Sequence, residues 1–300
     1  MRKHPVLFGI LLLFAVGILL FVFMSGLSVW RGEKKSLSGG GRVGVVPVKG
    51  IITDSKSVVE QITRYGNDSR IKAVVIRIDS PGGGVAPSQE IYDAVLELRK
   101  KKNVVASMGS VAASGGYYIA CAAERIIANP GSVTGSIGAV MHFSNFEETL
   151  KKLGIRASVV KSGKYKDSGS PLRDMTGEER NLFQGVIDDI HDQFVEAVSA
   201  SRKIPKEKMK EYADGRIFTG RQALKLGLVD SLGDMDAAVR VVAELAGIKG
   251  KPDVVYPKEK GISLWKYLLE EASTHIMGKM KEELSGAYYL SPASRMQFSY

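Results

Sequence analysis

Apolar residues in this 300-residue chain fall into short β-branched runs that alternate with longer stretches of helical periodicity. The longer stretches predict helices over about 87–101 and 176–202. The short runs predict strands at Val43–Val48, Ile71–Asp79, Asn103–Met108, Arg125–Ala128, Gly138–Phe143 and Arg156–Val160. Strands that alternate with helices in this way indicate an α/β domain with a largely parallel sheet.

Two of the predicted strands run directly into glycine-rich loops that precede helical patterns. The first loop is Ser80-Pro81-Gly82-Gly83-Gly84-Val85, and the second lies within GSVAASGGYYIA, residues 109–120. The carboxyl ends of parallel strands are where open α/β sheets place their sites. Glycine N–H groups directed at one point suit a phosphate or an oxyanion. The phosphate interpretation has no motif support, because neither G-x-x-x-x-G-K-[ST] nor G-x-G-x-x-G after a strand is present.

Ser114 lies in the second loop, at a predicted strand-to-helix turn among small residues. A serine at such a turn is well placed to act as a nucleophile. The structural alternative is an N-cap serine in a glycine-rich turn. This segment by itself leaves both interpretations open.

A serine nucleophile needs a base, and the chain has only four histidines. His4 precedes an apolar segment, and His142, His191 and His275 lie in no glycine-rich or turn-like context. The polar loop over 161–171, in contrast, contains three lysines and follows a predicted strand. Lysine can accept a proton if burial or a cationic neighbour keeps it neutral. The structural alternative for this loop is a solvated basic turn.

Four motifs in this order resemble those of the signal peptide peptidase A family, membrane-bound serine proteases of the ClpP/crotonase superfamily. They are D-S-P-G-G-G-V, S-V-A-A-S-G-G-Y-Y-I-A, T-G-S-I-G-A-V and S-G-K-Y-K-D-S-G-S-P. The segment DGRIFTGRQALKLGLVD, residues 214–230, matches as well, so the resemblance covers about 42–247. The chain length is similar to that of the short form of the family. The resemblance implies a ClpP/crotonase-like fold preceded by one transmembrane helix.

The resemblance also assigns roles to residues of this sequence. Ser114 aligns with the nucleophile, and Lys166, directly before Asp167, aligns with the general base rather than either other lysine of its loop. The N–H groups of Gly83 and Gly115 align with the oxyanion hole. A Ser/Lys dyad implies neither a metal nor another cofactor, and the family implies a homo-oligomer that acts on peptides such as released signal peptides.

The N-terminal segment 5–30 is almost wholly apolar and carries no charge. As a helix it would be roughly 39 Å long, which is enough to span a bilayer. A cleavable signal peptide is the alternative, but the run is long for one, so a retained anchor over 1–30 is predicted. A linker over 31–41, a protease domain over 42–250 and a C-terminal helix and tail over 251–300 follow. Flanking charges do not favour an external domain; the resemblance places it on the extracytoplasmic side of the cell membrane.

Charge and cysteine content narrow the function classes further. The net charge is +10, but the basic blocks are scattered, which is typical of solvated faces with some attraction to anionic lipid. No nucleic-acid-binding motif is present. Cys121 is the only cysteine, so no intrachain disulfide can form, and it is expected to pack in the helix after Ser114.

Two other functions compete with degradation of signal peptides. A stomatin-partner-type membrane serine protease would share the Ser/Lys chemistry, but the T-G-S-I-G and S-G-x-x-K-D motifs favour the first function. A crotonase-type acyl-CoA enzyme or an inactive scaffold would share the fold. The apolar N-terminal segment and the pairing of Ser114 with Lys166 argue against that hypothesis.

Overall fold

The computed structural model of this chain describes residues 14–19, 22–23 and 41–257. The chain divides into two units, Met1–Val255 and Tyr256–Tyr300, and of the second unit only Tyr256 and Pro257 are described. Within these described ranges no helix has the length and apolar character needed to cross a bilayer. The predicted anchor over 1–30 lies outside them, except for helical residues 14–19 and 22–23. Of the predicted C-terminal helix and tail over 251–300, only residues 251–257 are described.

An eight-stranded, largely parallel sheet organises the described residues, as the sequence predicts. The strand order is β6-β5-β3-β2-β1-β8, and β4 pairs with β3 and β7. All pairings are parallel except that of β5 with β6. The strands are β1 (Arg42–Lys49), β2 (Ile71–Ser80), β3 (Asn103–Ala113), β4 (Arg125–Ala128), β5 (Val133–Gly135), β6 (Ile217–Thr219), β7 (Ser231–Leu232) and β8 (Asp253–Val255).

Helices cover both faces of this sheet, because its central strands are apolar on both sides. In β2, Val74 and Ile76 pack on one face with residues of several helices, and Ala73 and Val75 pack on the other against α8. The helices of the described domain are α1 (Lys56–Asn67), α2 (Val85–Arg99), α3 (Gly115–Ala120), α4 (Glu147–Lys152), α5 (Gly177–Arg202), α6 (Lys206–Lys210), α7 (Gly220–Lys225) and α8 (Met235–Leu245). Both long predicted helices are therefore confirmed, with shifts of at most two residues at their ends.

Strand β3 is longer than predicted and pairs with two partners in succession. Its first half lies beside β4, with Val105 opposite Arg125, and its second half lies beside β5, with Val111 opposite Val133. The additional residues of β3, which are mostly small, end at Ala113, directly before Ser114. Cys121 is buried, as expected, but it follows α3 rather than lying within it. Burial raises the pKa of its thiol to about 12.

Two predicted strands, Gly138–Phe143 and Arg156–Val160, are wrong. Both segments are irregular, and only α4 interrupts the chain between them. Neither segment pairs with a strand among the described residues, and Val140, Val159 and Val160 are exposed, the last completely. Apolar residues therefore mimicked strand periodicity in a segment that does not pack into the core of this protomer.

Candidate active site

Ser114 occupies a strained turn between β3 and α3. Its backbone has φ 51° and ψ −122°, a conformation that non-glycine residues rarely adopt. The turn is held on both sides: the Ser114 N–H donates to Gly135 O at 2.8 Å, and the Tyr118 N–H donates to Ser114 O at 2.9 Å. This is the strand–turn–helix setting that displays a nucleophilic serine, although the chain lacks the G-x-S-x-G motif.

The Gly82–Gly84 loop lies against this turn and is fixed by Ile52. The Ile52 N–H donates to Gly82 O at 2.9 Å, and the Gly84 N–H donates to Ile52 O at 2.8 Å. A Cβ at Gly83 would lie 2.2 Å from Ile52 O, so no side chain fits there. A Cβ at Gly82 would lie 2.9 Å from the Gly115 nitrogen, which shows how closely the two loops approach.

Two backbone donors beside Ser114 are left without acceptors. Among the hydrogen bonds of the described residues, neither the Gly83 N–H nor the Gly115 N–H has a partner. Gly115 begins α3, where first-turn N–H groups have no intrahelical acceptor. A Cβ built on Gly115 would lie 3.5 Å from the Gly83 nitrogen, so these groups are neighbours. Such a pair can stabilise an oxyanion formed on a carbonyl that Ser114 attacks.

Gly83, Ser114 and Gly115 line one small cavity whose remaining wall is mainly apolar. Its other lining residues are Val85, Ser88, Gln89, Tyr118, Gly138, Ile190 and Phe194. The ring of Tyr118 lies between those of Tyr92 and Phe194, with centroid distances of 4.7 and 5.0 Å. Burial raises the pKa of the Tyr118 hydroxyl, which therefore stays neutral. The cavity suits a small apolar group next to the carbonyl.

Lys166 is not among the residues that line this cavity. It lies on the irregular loop before α5, where its side chain is exposed. Within residues 41–257 its ammonium group forms no ion pair and no hydrogen bond. The structure thus brings three of the four predicted site residues together around one cavity, and the fourth, Lys166, does not line it.

The other two lysines of the loop have carboxylate partners. Lys161 Nζ lies 2.5 Å from Asp167 Oδ1, and Lys164 forms an ion pair with Glu178 of α5. The hydrogen bond to Glu178 raises the pKa of Lys164 and so favours its protonated form. Among the described residues, Lys166 is therefore the lysine of this loop that has no carboxylate partner. A general base needs such an amine, because a carboxylate partner favours the protonated form.

Sequence reasoning assigned no role to several residues that shape the site. The T-G-S-I-G motif was recognised, but only the structure shows that Gly135 O holds the Ser114 backbone. It also shows that buried Thr134 ties β5 to β3, by donating from Oγ1 to Ala112 O at 2.7 Å. Ile190 and Phe194 come from α5, more than 70 residues away, and nothing in their local sequence marks them.

Comparisons with known proteins show the family of this chain. The model for peptidase family S49 matches residues 97–249, and the model for Clp protease matches 45–134. A Synechocystis sp. protein whose name describes it as a protease is 46% identical over 205 residues, which are 68% of this chain and 73% of that protein. A Methanocaldococcus jannaschii protein, also described by name as a protease, is 35% identical over 71% of this chain and 68% of its own length.

Longer relatives match over a smaller share of their length. "Serine protease SPPA, chloroplastic" of Arabidopsis thaliana is 33% identical over 74% of this chain, but only 34% of its own length is covered. This chain therefore spans about a third of the longer relative.

Proposed function

This chain belongs to peptidase family S49, and we propose that it is a serine endopeptidase in which Ser114 attacks the peptide carbonyl. The observation that carries the proposal is the pair of unpartnered N–H groups, at Gly83 and Gly115, beside the strained Ser114 turn. An oxyanion hole beside a serine serves acyl transfer, because it stabilises the charge that develops when the serine attacks a carbonyl. The Clp protease match over 45–134 covers all three residues.

The proposed reaction uses Lys166 as the general base. Its neutral amine takes the proton of Ser114 Oγ while the oxygen bonds to the carbonyl carbon, and the developing oxyanion accepts hydrogen bonds from Gly83 and Gly115. The resulting ammonium group returns the proton to the leaving amine as the peptide bond breaks. Water then hydrolyses the acyl-enzyme by the same path and restores Ser114.

We further propose that apolar peptides, such as released signal peptides, are the substrates. The cavity beside Ser114 has an apolar wall from Val85, Tyr118, Ile190 and Phe194. The uncharged segment 5–30 of the sequence would anchor the domain at the cell membrane, on its extracytoplasmic side, where such peptides reside. A protease anchored in the membrane would reach these apolar peptides at the bilayer, so the peptides would not first have to leave it for water.

Labelling with a fluorophosphonate tests the serine mechanism directly. Because this reagent phosphonylates activated serine hydroxyls, the native protein is expected to take up one label per active site, and peptide mapping should place it on Ser114. Heat-denatured protein is the control and should not react. A label on another serine, or none on a preparation that hydrolyses peptides, would contradict the assignment.

The proposed active assembly is a homo-oligomer whose sites combine Ser114 of one protomer with Lys166 of another. Within the protomer, Lys166 is not among the residues that line the Ser114 cavity. Large apolar side chains are also exposed along 140–186, as expected of an interface. They include Val140, Phe143, Phe146, Leu153, Ile155, Val160, Leu172, Leu182 and Val186.

A subunit-mixing experiment distinguishes shared sites from sites within one protomer. Ser114→Ala and Lys166→Ala proteins, each inactive, are mixed in equal amounts under conditions that allow subunits to exchange. Shared sites should restore activity at about a quarter of the sites, since each needs an intact serine from one protomer and an intact lysine from its neighbour. Fluorescence transfer between labelled subunits verifies exchange. Complete exchange without recovery would place both residues in one protomer.

A further inference from the structure

The residue after Lys166 is held by two cations. Asp167 Oδ1 accepts a hydrogen bond from Lys161 at 2.5 Å, and Asp167 Oδ2 accepts one from Arg173 Nε at 3.0 Å. The same guanidinium group donates to the backbone oxygen of Asp167 at 3.2 Å. These bonds, from Arg173 first, lower the pKa of Asp167 to about 2, so its carboxylate is charged over the whole working pH range.

Arg173 connects this carboxylate to the first turn of α5. Its two terminal nitrogens donate to the Glu179 carboxylate at 2.5 and 2.9 Å. Glu179 is buried, with 3% of its surface exposed, and it also completes a capping box with Thr176. The Arg173 network, defined here as Asp167, Arg173 and Glu179, therefore ties the lysine loop to a rigid helix terminus.

Among the described residues, five carboxylates on or near the loop are engaged by partners other than Lys166. The titratable or positively charged groups around the loop are Tyr165 and Lys164 on the loop itself, Arg180 on α5, and His142 and Lys151 on the segment that packs against 169–174. The carboxylates and their partners are Asp167 with Lys161 and Arg173, Asp174 with Asn145, Glu147 with Lys151, Glu178 with Lys164, and Glu179 with Arg173.

We propose that Arg173 is a positioning residue for the base: it holds the Asp167 carboxylate so that this group cannot pair with the Lys166 ammonium group. The inference rests on the proposed role of Lys166. A carboxylate within about 4–6 Å stabilises the protonated form of a lysine. Because Asp167 is the next residue in the chain, releasing it would provide such a partner. Lys166 would then lose its proton only at higher pH.

The test is the pH dependence of kcat/KM for the assembled, full-length protein, which reports ionisations of the free enzyme. Arg173→Gln should move the midpoint of the rising limb upward by about one pH unit at low salt, and about 1 M salt should reduce that shift. Adding Asp167→Asn to Arg173→Gln should return the midpoint to the wild-type position, because the released carboxylate is gone. Asp167→Asn alone should not move it upward.

Two further variants support this test: one is a control for the lost positive charge, and the other can replace Arg173→Gln if that protein does not fold. Arg180→Gln removes the same charge at a nearby position, in the first turn of α5. The Arg180 side chain has no hydrogen bond or ion pair within the described residues, so the midpoint of this variant should match wild type. If Arg173→Gln does not fold, Lys161→Met, at a more exposed position, releases one Asp167 oxygen and should produce a smaller upward shift.

A lower kcat without a moved midpoint, in Arg173→Gln or in a folded Lys161→Met protein, would overturn the inference. So would a shift that persists in the double variant. Failure of the proposed base itself gives a separate signal, because Lys166→Ala would then remain active. An inactive Lys166→Ala protein combined with an unmoved midpoint rejects the role of Arg173 alone.

Discussion

Ser114→Ala is expected to lower kcat for peptide hydrolysis by roughly 10⁴-fold or more, because it removes the atom that forms the acyl-enzyme. The fold should survive. Ser114 Oγ makes no hydrogen bond within the described residues, and alanine tolerates the same backbone conformation as serine. Hydrolysis of a fluorogenic peptide and the thermal unfolding midpoint are measured on the same preparation.

Ser110→Ala is the matched control for this substitution. Ser110 is an exposed serine of the same strand, β3, and it does not line the cavity, so its removal should leave both activity and unfolding unchanged. Retention of more than a few per cent of activity in purified Ser114→Ala protein would reject Ser114 as the nucleophile. A large drop in the unfolding midpoint would instead show that its hydroxyl has a structural role.

Lys166→Ala is expected to lower kcat by about 10³-fold or more, because it removes the amine that is proposed to accept the Ser114 proton. Lys166→Arg should be equally inactive, since a guanidinium group stays protonated at any usable pH. In the wild-type protein, kcat/KM should rise with pH as the Lys166 amine loses its proton, because the ammonium form cannot act as a base.

Lys164→Ala is the matched control, two residues away on the same loop. Its amine is paired with Glu178 on the surface, and ion pairs of that kind usually contribute little to stability. We expect its activity to stay within a few fold of wild type. An active Lys166→Arg protein, or a flat pH profile from mildly acidic to alkaline conditions, would require a different base.

The sequence predicted the central part of the fold well. Strands β1 to β4 are built from apolar, mostly β-branched runs that pack on both faces, and this composition is visible without knowing the partners of each strand. The sequence did not predict the short strands β5 to β8, because two or three residues each are too few for a periodic signal. Their existence depends on neighbours that are distant in sequence.

The two wrongly predicted strands have the opposite cause: their local sequence resembles a strand, but the tertiary structure does not form one. Gly138–Phe143 and Arg156–Val160 have the composition of strands, yet neither segment pairs with a strand of the sheet among the described residues. Hydrophobic pattern reports only that a side chain prefers burial. It does not report whether the burial occurs within the protomer, and the exposed Val140 and Val160 agree with burial against another subunit, as proposed above.

The sequence by itself determined the α/β class, the turn that carries Ser114 and the glycine positions around it, because strand propensity and backbone freedom are local properties. It also limited the base to one loop with three lysines. Only the tertiary structure decided which of those lysines lacks an acid partner. The pairs Lys164–Glu178 and Arg173–Glu179 form because the lysine loop and the adjoining 171–175 segment fold back onto the start of α5. Charge pairing depends on distance in space, and no local pattern records that distance.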